Sequence, residues 1–190
     1  DSLGPYYMSF NKKAEYQGFF DKNGIPMLDY QGVIGLQYNP IAIAQWGLGN
    51  YNLWYDLKSE INYKKFILCA DWLINNLEMN SHGYKVWMHH FDWEYRDLLQ
   101  SPWYSGLAQG QGISVLIRAY EHTKKDKYLH AINDAIQVFM KSTDEGGVNY
   151  FDENNNNWIE EYIVHPPTHI LNGFIWGLWG IYDYLLVFND

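Results

Sequence analysis

The stretch SPWYSGLAQGQGISVLIRAY, residues 101–120, decides the fold. It places Gly106, Gly110 and Gly112 in the first half of an otherwise apolar helical segment. Glycine inside a helix costs about 1 kcal/mol relative to alanine. Three glycines so close together indicate that another backbone or a ligand comes very near. We predict a helix over 103–123.

Two further segments combine small residues, amides and aromatics in the same way. AIAQWGLGNYNLWY occupies 42–55, and ILNGFIWGLWGIYDY occupies 170–184. Gln45, Gln109 and Asn172 lie 64 and 63 residues apart. Self-similarity at a fixed period is typical of repeat architectures, so we predict a repeated unit of about 64 residues.

Each unit contains two helices followed by a short strand or hairpin. The predicted helices cover about 40–55, 59–77, 103–123, 126–141 and 167–187, and the predicted strands cover 83–88 and 146–151. The fold class is therefore mainly α: a partial α/α toroid of helical hairpins, with short β-hairpins or strands in the connecting loops. Two and a half units cannot close a ring of six hairpins. Because each unit needs a neighbour to bury its apolar face, the chain either pairs with a second copy in a homodimer or is completed by flanking segments.

The first residues differ from the rest of the chain. Residues 1–38 are rich in Gly, Tyr and Asn and show little helical period, so we predict an irregular segment with short strands near 17–20 and 25–30. Asn39-Pro40 has the residues preferred at a helix cap and at the first helical position. We therefore divide the chain into 1–38, an N-terminal segment, and 39–190, an incomplete toroid-like domain.

Composition narrows the class of partner. The net charge of −9 argues against nucleic acid, and an anionic polymer would need a local basic patch. A single cysteine, Cys69, excludes an internal disulfide and a cysteine zinc site. No apolar run is long enough to span a bilayer. The chain begins without Met, so the compartment cannot be deduced from a missing leader.

Aromatic residues are unusually frequent, at 18% of the chain with 9 Trp and 17 Tyr. Their faces pack well on the CH groups of sugar rings, and their polar tips can still form hydrogen bonds. The excess therefore favours a carbohydrate partner. The alternative is that the aromatics fill a helical core.

The segment WIEEYIVHPPTH, residues 158–169, offers two carboxylates, a phenol and two imidazoles. Pro166 and Pro167 restrict its backbone. A stiff loop can hold a phenol or a carboxylate where proton transfer needs it. The alternative is a solvated acidic turn in which Tyr162 is a packing residue.

Two groups of histidines could bind a metal. His89, His90 and Asp92 occupy the equivalent loop of the first unit and either ligate a metal or contact solvent or substrate. His165 and His169 are four residues apart, but the prolines between them spoil a helical ligand pair. We therefore assign no metal. The sequence also contains no G-x-S-x-G, C-x-x-C or H-E-x-x-H motif.

The segments together resemble the C-terminal domain of D-glucuronyl C5-epimerases. The resemblance covers about residues 30–184 and is carried, in order, by NPIAIAQWGLGNY, ADWLINN, WYSGLAQGQGISVLIRAY, EEY and LNGFIWGLWGIYDY. It implies an isomerase that converts D-glucuronate to L-iduronate within a uronate-containing polysaccharide, without a cofactor. Heparan sulfate synthesis in the Golgi lumen and bacterial polysaccharide synthesis in the envelope or cytoplasm both fit.

The chemistry implied by the resemblance is removal and return of the proton at C5. That proton is α to a carboxylate, so the charge that develops needs donors or cations nearby. A second group must then protonate the opposite face. The resemblance implies that Tyr162 transfers the proton and that Glu161 tunes it or accepts a proton. The candidates for substrate contact are Trp46, Trp103, Tyr104, Gln109, Arg118, His165 and Asn172.

The resemblance also implies that part of the site lies elsewhere. The family's remaining catalytic tyrosines and its arginine follow the LNG helix, beyond Asp190. We therefore expect little or no activity from this polypeptide alone. Two other functions stay open, because a fold does not fix a function. One is a polysaccharide lyase or uronyl hydrolase on the same toroid, and the other is a non-catalytic carbohydrate-binding domain.

Overall fold

The structure, a computed structural model that describes residues 3–188, consists of helices joined by short strand pairs. Within those residues the helices are α1 (Asn11–Ala14), α2 (Pro40–Leu57), α3 (Glu60–Asn75), α4 (Gly106–Thr123), α5 (Asp126–Ala135) and α6 (Leu171–Phe188). Two 3₁₀ turns, Ile136–Met140 and Thr143–Glu145, follow α5. None of the helices in this part of the chain is long and apolar enough to cross a membrane.

The strands are short and lie in the connections between helices. They are β1 (Phe19–Phe20), β2 (Pro26–Asp29), β3 (Leu36–Gln37), β4 (Leu77–Met79), β5 (Lys85–His89), β6 (Trp93–Glu94), β7 (Leu98–Leu99), β8 (Trp103–Tyr104), β9 (Asn149–Phe151) and β10 (Asn157–Ile159). They form the antiparallel sheets β1-β2-β3, β4-β5-β8, β6-β7 and β9-β10. The mainly helical class with short strands in the connections is therefore confirmed.

The order helix, helix, β-hairpin occurs twice before α6. The hairpin β4-β5 follows α2 and α3, and β9-β10 follows α4 and α5. The first helices of the successive units begin at Pro40, Gly106 and Leu171, 66 and 65 residues apart. Gln45 is then the sixth residue of its helix, whereas Gln109 is the fourth. The spacing of Gln45 and Gln109 therefore indicates the repeat, but the two residues do not occupy equivalent positions in their helices.

Local chemistry fixes the ends of the first long helix. Asn39 accepts hydrogen bonds from two backbone N–H groups of the first turn, at 2.9 and 3.2 Å, and Pro40 occupies the first helical position as predicted. The helix ends at Lys58, which is left-handed with φ 54°. Lys124 closes α4 in the same way, with φ 51°.

The start of α4 differs from the prediction. Trp103 and Tyr104 are not helical but form β8, opposite His89 and Met88 of β5. The backbone in this pairing is extended, so the helix can begin only at Gly106. The prediction that this helix begins at Trp103 was therefore wrong, because residues 103 and 104 form a strand.

The start of α6 also differs. The predicted helix opens at Pro167, but the observed one begins at Leu171. The backbone N–H groups of Thr168 and His169 donate instead to the carboxylate of Glu160, at 3.2 and 3.1 Å. The Glu160 side chain thereby keeps Thr168 and His169 out of the helix.

The bounds of the other predicted elements agree with the prediction to within a few residues, with one exception. The helix predicted over 126–141 is α-helical only to Ala135, and a 3₁₀ turn continues it to Met140. The short helix α1 is not predicted.

Helix α4 is the centre of the core. All of its residues from Gly106 to Ala119 are buried. It packs against α2, α3, α5 and α6. Its glycines are required by this crowding rather than by a ligand.

Each glycine of α4 meets a particular neighbour. A Cβ on Gly180 of α6 would lie 2.5 Å from the Cα of Gly110, so the two backbones touch. A Cβ on Gly112 would collide with the indole of Trp87. The predicted approach of a backbone is therefore confirmed at Gly110, whereas the neighbour of Gly112 is an aromatic side chain, which is neither a backbone nor a ligand.

Candidate functional site

The loop after β10 is closed by a buried carboxylate. Glu160 is almost fully buried and accepts hydrogen bonds from the backbone and hydroxyl of Thr168, both at 3.2 Å. Its other oxygen pairs with Nδ1 of His169 at 2.6 Å. Its backbone carbonyl accepts the N–H of Gly106, the first residue of α4. Glu160 therefore fixes the loop and ties it to the central helix.

The next residue, Glu161, has a very different environment. It is only 7% exposed, and its Oε2 finds no hydrogen-bond partner among residues 3–188. A Cβ on Gly173, near the start of α6, would lie 2.5 Å from that oxygen. Burial raises the pKa of Glu161, and the hydroxyl of Tyr162 partly offsets this effect. Glu161 is therefore easier to protonate than a glutamate in water.

Tyr162 lies among other aromatic rings. Its centroid is 4.9 Å from that of Tyr95 and 5.8 Å from that of Trp103, which it meets edge to face. Burial and then the carboxylate of Glu161 raise the pKa of Tyr162, while the side chain of Trp93 lowers it. The phenol therefore stays protonated at neutral pH.

A phenol and a carboxyl group in adjacent positions can pass a proton between them. Such transfers need the two groups held at fixed positions near the reacting atom. Ionisable groups whose pKa is shifted by burial and by a specific partner often mark functional sites. Burial and neighbouring groups shift the pKa of both side chains, which makes them candidates for proton transfer.

Two cavities flank the segment that follows Tyr162. One of about 430 Å³ is lined by Leu98, Leu99, Gln100, Pro102, Trp103, Tyr104, Ile163 and Val164. The other, of about 520 Å³, is lined by Thr143, Asp144, Tyr150, Phe151, Ile163, Val164 and His165. Both are in the size range of small-molecule sites.

Four of the seven substrate candidates lie close to this region in space or in sequence. Trp103 contacts Tyr162 and lines the first cavity with Tyr104. Burial raises the pKa of Tyr104, whose hydroxyl donates to the backbone of the 146–151 segment at 3.3 Å. His165 is exposed beside the second cavity. Asn172 is exposed at the start of α6, next to the glycine that contacts Glu161.

The other three candidates are buried and already bonded or packed. The side chain of Gln109 accepts the backbone N–H of Trp87 at 2.8 Å. Arg118 is fully buried and pairs with Asp183 at 2.5 Å. Trp46, a residue of α2, lies in a small core cluster with Ile25, Ile43 and Cys69. These placements favour packing over substrate contact.

The histidine cluster is not brought together. His89 is fully buried and stacks on Trp103, with centroids 3.8 Å apart and planes 3° from parallel. Burial lowers the pKa of His89 to about 3. His90 is exposed and contacts Glu78 at 2.7 Å, while Asp92 accepts a backbone N–H. Among the described residues there is no group of three or more His, Cys, Asp or Glu placed to hold a metal ion.

Sequence reasoning missed the β6-β7 hairpin. Tyr95 contacts Tyr162, and the guanidinium of Arg96 donates to the carbonyls of Pro166 and Pro167. The only sequence signal is the run WEYR, residues 93–96, which combines two aromatics with one of two arginines.

A buried carboxyl group and a phenol thus stand side by side in a loop that also lines two cavities, on a scaffold of paired helices. Residues 78–190 match the family model described as D-glucuronyl C5-epimerase C-terminus. The chain therefore belongs to this family, and the resemblance found in the sequence is confirmed.

Two relatives show how much of the chain is shared. A D-glucuronyl C5-epimerase of Caenorhabditis elegans is 38% identical over 120 residues, which are 62% of this chain and 19% of that protein. An uncharacterized protein of Methanocaldococcus jannaschii is 31% identical over 93 residues, 47% of this chain and 30% of that protein. The matched part is thus less than a third of either relative.

Proposed function

We propose that this chain carries one half of the proton-transfer machinery for C5-epimerisation of D-glucuronate to L-iduronate within a heparosan-type or bacterial polysaccharide. The observation that carries the proposal is the Glu161–Tyr162 pair: a buried carboxyl group, whose Oε2 has no hydrogen-bond partner among residues 3–188, next to a phenol. Membership of an epimerase family supports it.

The proposed reaction breaks the C5–H bond and later forms a new one on the opposite face. The negative charge that develops spreads onto the carboxylate of the sugar and needs stabilising donors. Tyr162 acts at C5 on one face, and Glu161 receives or returns the phenolic proton. A second group must serve the other face, because epimerisation requires transfer from both sides.

We also propose that residues 39–190 form part of an α/α toroid. Contacts of α4 with both α2 and α6 support a row of first helices from successive units. The exposed apolar residues of α6 (Leu178, Tyr182 and Leu185) support covering by a further unit or a second copy. The domain by itself would then lack part of its ring wall.

The test is exchange of the C5 proton in D2O. The chain, and any longer product that its gene encodes, would be incubated with heparosan-type polymer while proton NMR follows the C5 signal and iduronate. We expect exchange by the longer product, its loss in Tyr162→Phe, and little exchange by the chain alone. The matched control is Tyr55→Phe, a tyrosine at the far end of α2.

The same experiment separates the alternatives. Rising ultraviolet absorbance from an unsaturated uronate would identify a lyase in place of an epimerase. A non-catalytic carbohydrate-binding domain is favoured by Trp103 and Tyr104, which present aromatic surface to a cavity. It would bind the polymer equally well after Tyr162→Phe and would exchange no proton in the longer product.

A further inference from the structure

The ring of Tyr95 packs against Tyr162 and is itself open to solvent. Tyr95 follows β6 and begins the turn to β7, and its side chain is 55% exposed. Its ring centroid nevertheless lies 4.9 Å from that of Tyr162.

We propose that Tyr95 contacts the substrate at the Tyr162 site and that Arg96 is the residue that positions it. The inference rests on the proposed function, since the substrate in question is a uronate-containing polysaccharide. It adds an outer, sugar-contacting wall to a site whose other named residues are mostly buried.

The order of the rings gives Tyr95 this role. Tyr162 packs against both Trp103, which is 8% exposed, and Tyr95, which is 55% exposed. Trp103 in turn stacks on the buried His89. Of the rings in contact with Tyr162, that of Tyr95 is therefore the one open to a sugar arriving from solvent. An aromatic face there can pack against the CH groups of a sugar while its hydroxyl remains free to form hydrogen bonds.

Arg96 ties this turn to the loop that contains Tyr162. Its Nη atoms donate to the carbonyls of Pro166 and Pro167, and its Nε donates to Asp97 at 2.7 Å. Both prolines follow Tyr162 in the stiff part of the loop. Because Asp97 offsets the positive charge, we assign Arg96 to positioning rather than to binding the sugar carboxylate.

A purely structural role would have a different signature. If Tyr95 only packs on Tyr162, its removal would lower the thermal stability and leave oligosaccharide affinity unchanged. If it contacts the sugar, affinity falls while the fold is retained. Affinity and stability must therefore be measured on the same variants.

The experiment titrates the 190-residue chain with a size-defined heparosan-type oligosaccharide and follows tryptophan fluorescence. We expect Tyr95→Ala to raise the Kd about tenfold, equivalent to about 1.4 kcal/mol, and Tyr95→Phe to stay within about twofold because the ring remains. Tyr55→Ala, which removes a tyrosine 37% exposed at the end of α2, is the matched control and should bind like the wild type.

Arg96 is tested by a double-mutant cycle. Arg96→Gln should weaken binding alone, and it should add almost nothing to Tyr95→Ala, because there is then no ring left to position. Full additivity would overturn the positioning role. Should Tyr95→Ala fold poorly, as judged by near-ultraviolet circular dichroism, Arg96→Gln and Tyr95→Phe still carry the test.

The outcomes separate this inference from the proposed function. An unchanged Kd for Tyr95→Ala, with Tyr162-dependent exchange in the longer product, would overturn the inference alone. Tyr95-dependent binding without any C5 exchange would overturn the proposed function and retain the sugar contact. Absence of both binding and exchange would overturn both.

Discussion

The guanidinium of Arg118 lies 2.5 Å from the carboxylate of Asp183, and both side chains are completely buried between α4 and α6. The hydroxyl of Tyr7 donates to the same carboxylate at 2.7 Å. The rings of Tyr6 and Tyr51 lie 5.3 and 5.5 Å from the guanidinium carbon. One polar cluster thus joins the N-terminal segment to three helices.

Breaking this ion pair should strongly destabilise the protein. Asp183→Asn leaves the buried charge of Arg118 uncompensated, so we expect the free energy of unfolding to fall by roughly 3–5 kcal/mol. Urea denaturation measures the loss. The matched control is Glu121→Gln, which breaks the exposed pair with Lys124 and should cost less than about 1 kcal/mol. Equal losses in the two variants would contradict the prediction.

The contact between Gly110 and Gly180 should tolerate no side chain. Because the obstacle to a Cβ on Gly180 is backbone, we expect Gly180→Ala to lower the free energy of unfolding by at least about 1–3 kcal/mol. Gly4→Ala is the control, since nothing lies within 4 Å of its Cβ. If thermal melts gave the two variants the same melting temperature, the helices could move apart without loss of stability, and the prediction would be wrong.

His89 should make stability depend on pH. Burial lowers the pKa of His89 from 6.5 to about 3, so between these values the unfolded chain binds a proton that the folded chain does not. The free energy of unfolding should therefore fall as the pH drops through this window. His89→Phe keeps a ring on Trp103 and should fall less steeply. Equal slopes in the wild type and in His89→Phe would refute the prediction.

Glu161 should act in the opposite direction. Burial raises its pKa above the ordinary 4.5, so the folded chain holds a proton that the unfolded chain releases. The contribution of Glu161 is most favourable below pH 4.5 and is lost as the pH rises through the raised pKa. Glu161→Gln should therefore gain stability relative to the wild type over that interval. The exposed Glu153→Gln serves as control, and a pH-independent difference for Glu161→Gln would count against a buried carboxyl group.

Features decided by local chemistry were predictable from the sequence. Asn39 and Pro40 are residues preferred at a helix start, and a helix begins there. The helical spacing of apolar residues predicts the helix over 60–75. The glycines of α4 indicate the close neighbours that the structure shows. The adjacency of Glu161 and Tyr162 is likewise a property of the chain itself. These elements and this part of the candidate site could therefore be predicted from the sequence.

Features decided by distant partners were not predictable. Trp103 is extended because it pairs with His89, and Arg118 is occupied because Asp183 lies across the helix interface, 65 residues further on. Tyr95 joins Tyr162 from 67 positions away, through a hairpin with no strong sequence signature. Composition and spacing along one chain contain no information on which of many such pairings forms.

The complete burial of α4 from Gly106 to Ala119 has a consequence for how the protein unfolds. In arrays whose repeats touch only their neighbours, segments can open one after another. Here α4 is buried by helices that precede it in the chain, α2 and α3, and by helices that follow it, α5 and α6. Loss of either group would expose α4 to water. We expect its amide hydrogens to exchange with solvent only when the whole molecule opens, in a single cooperative transition.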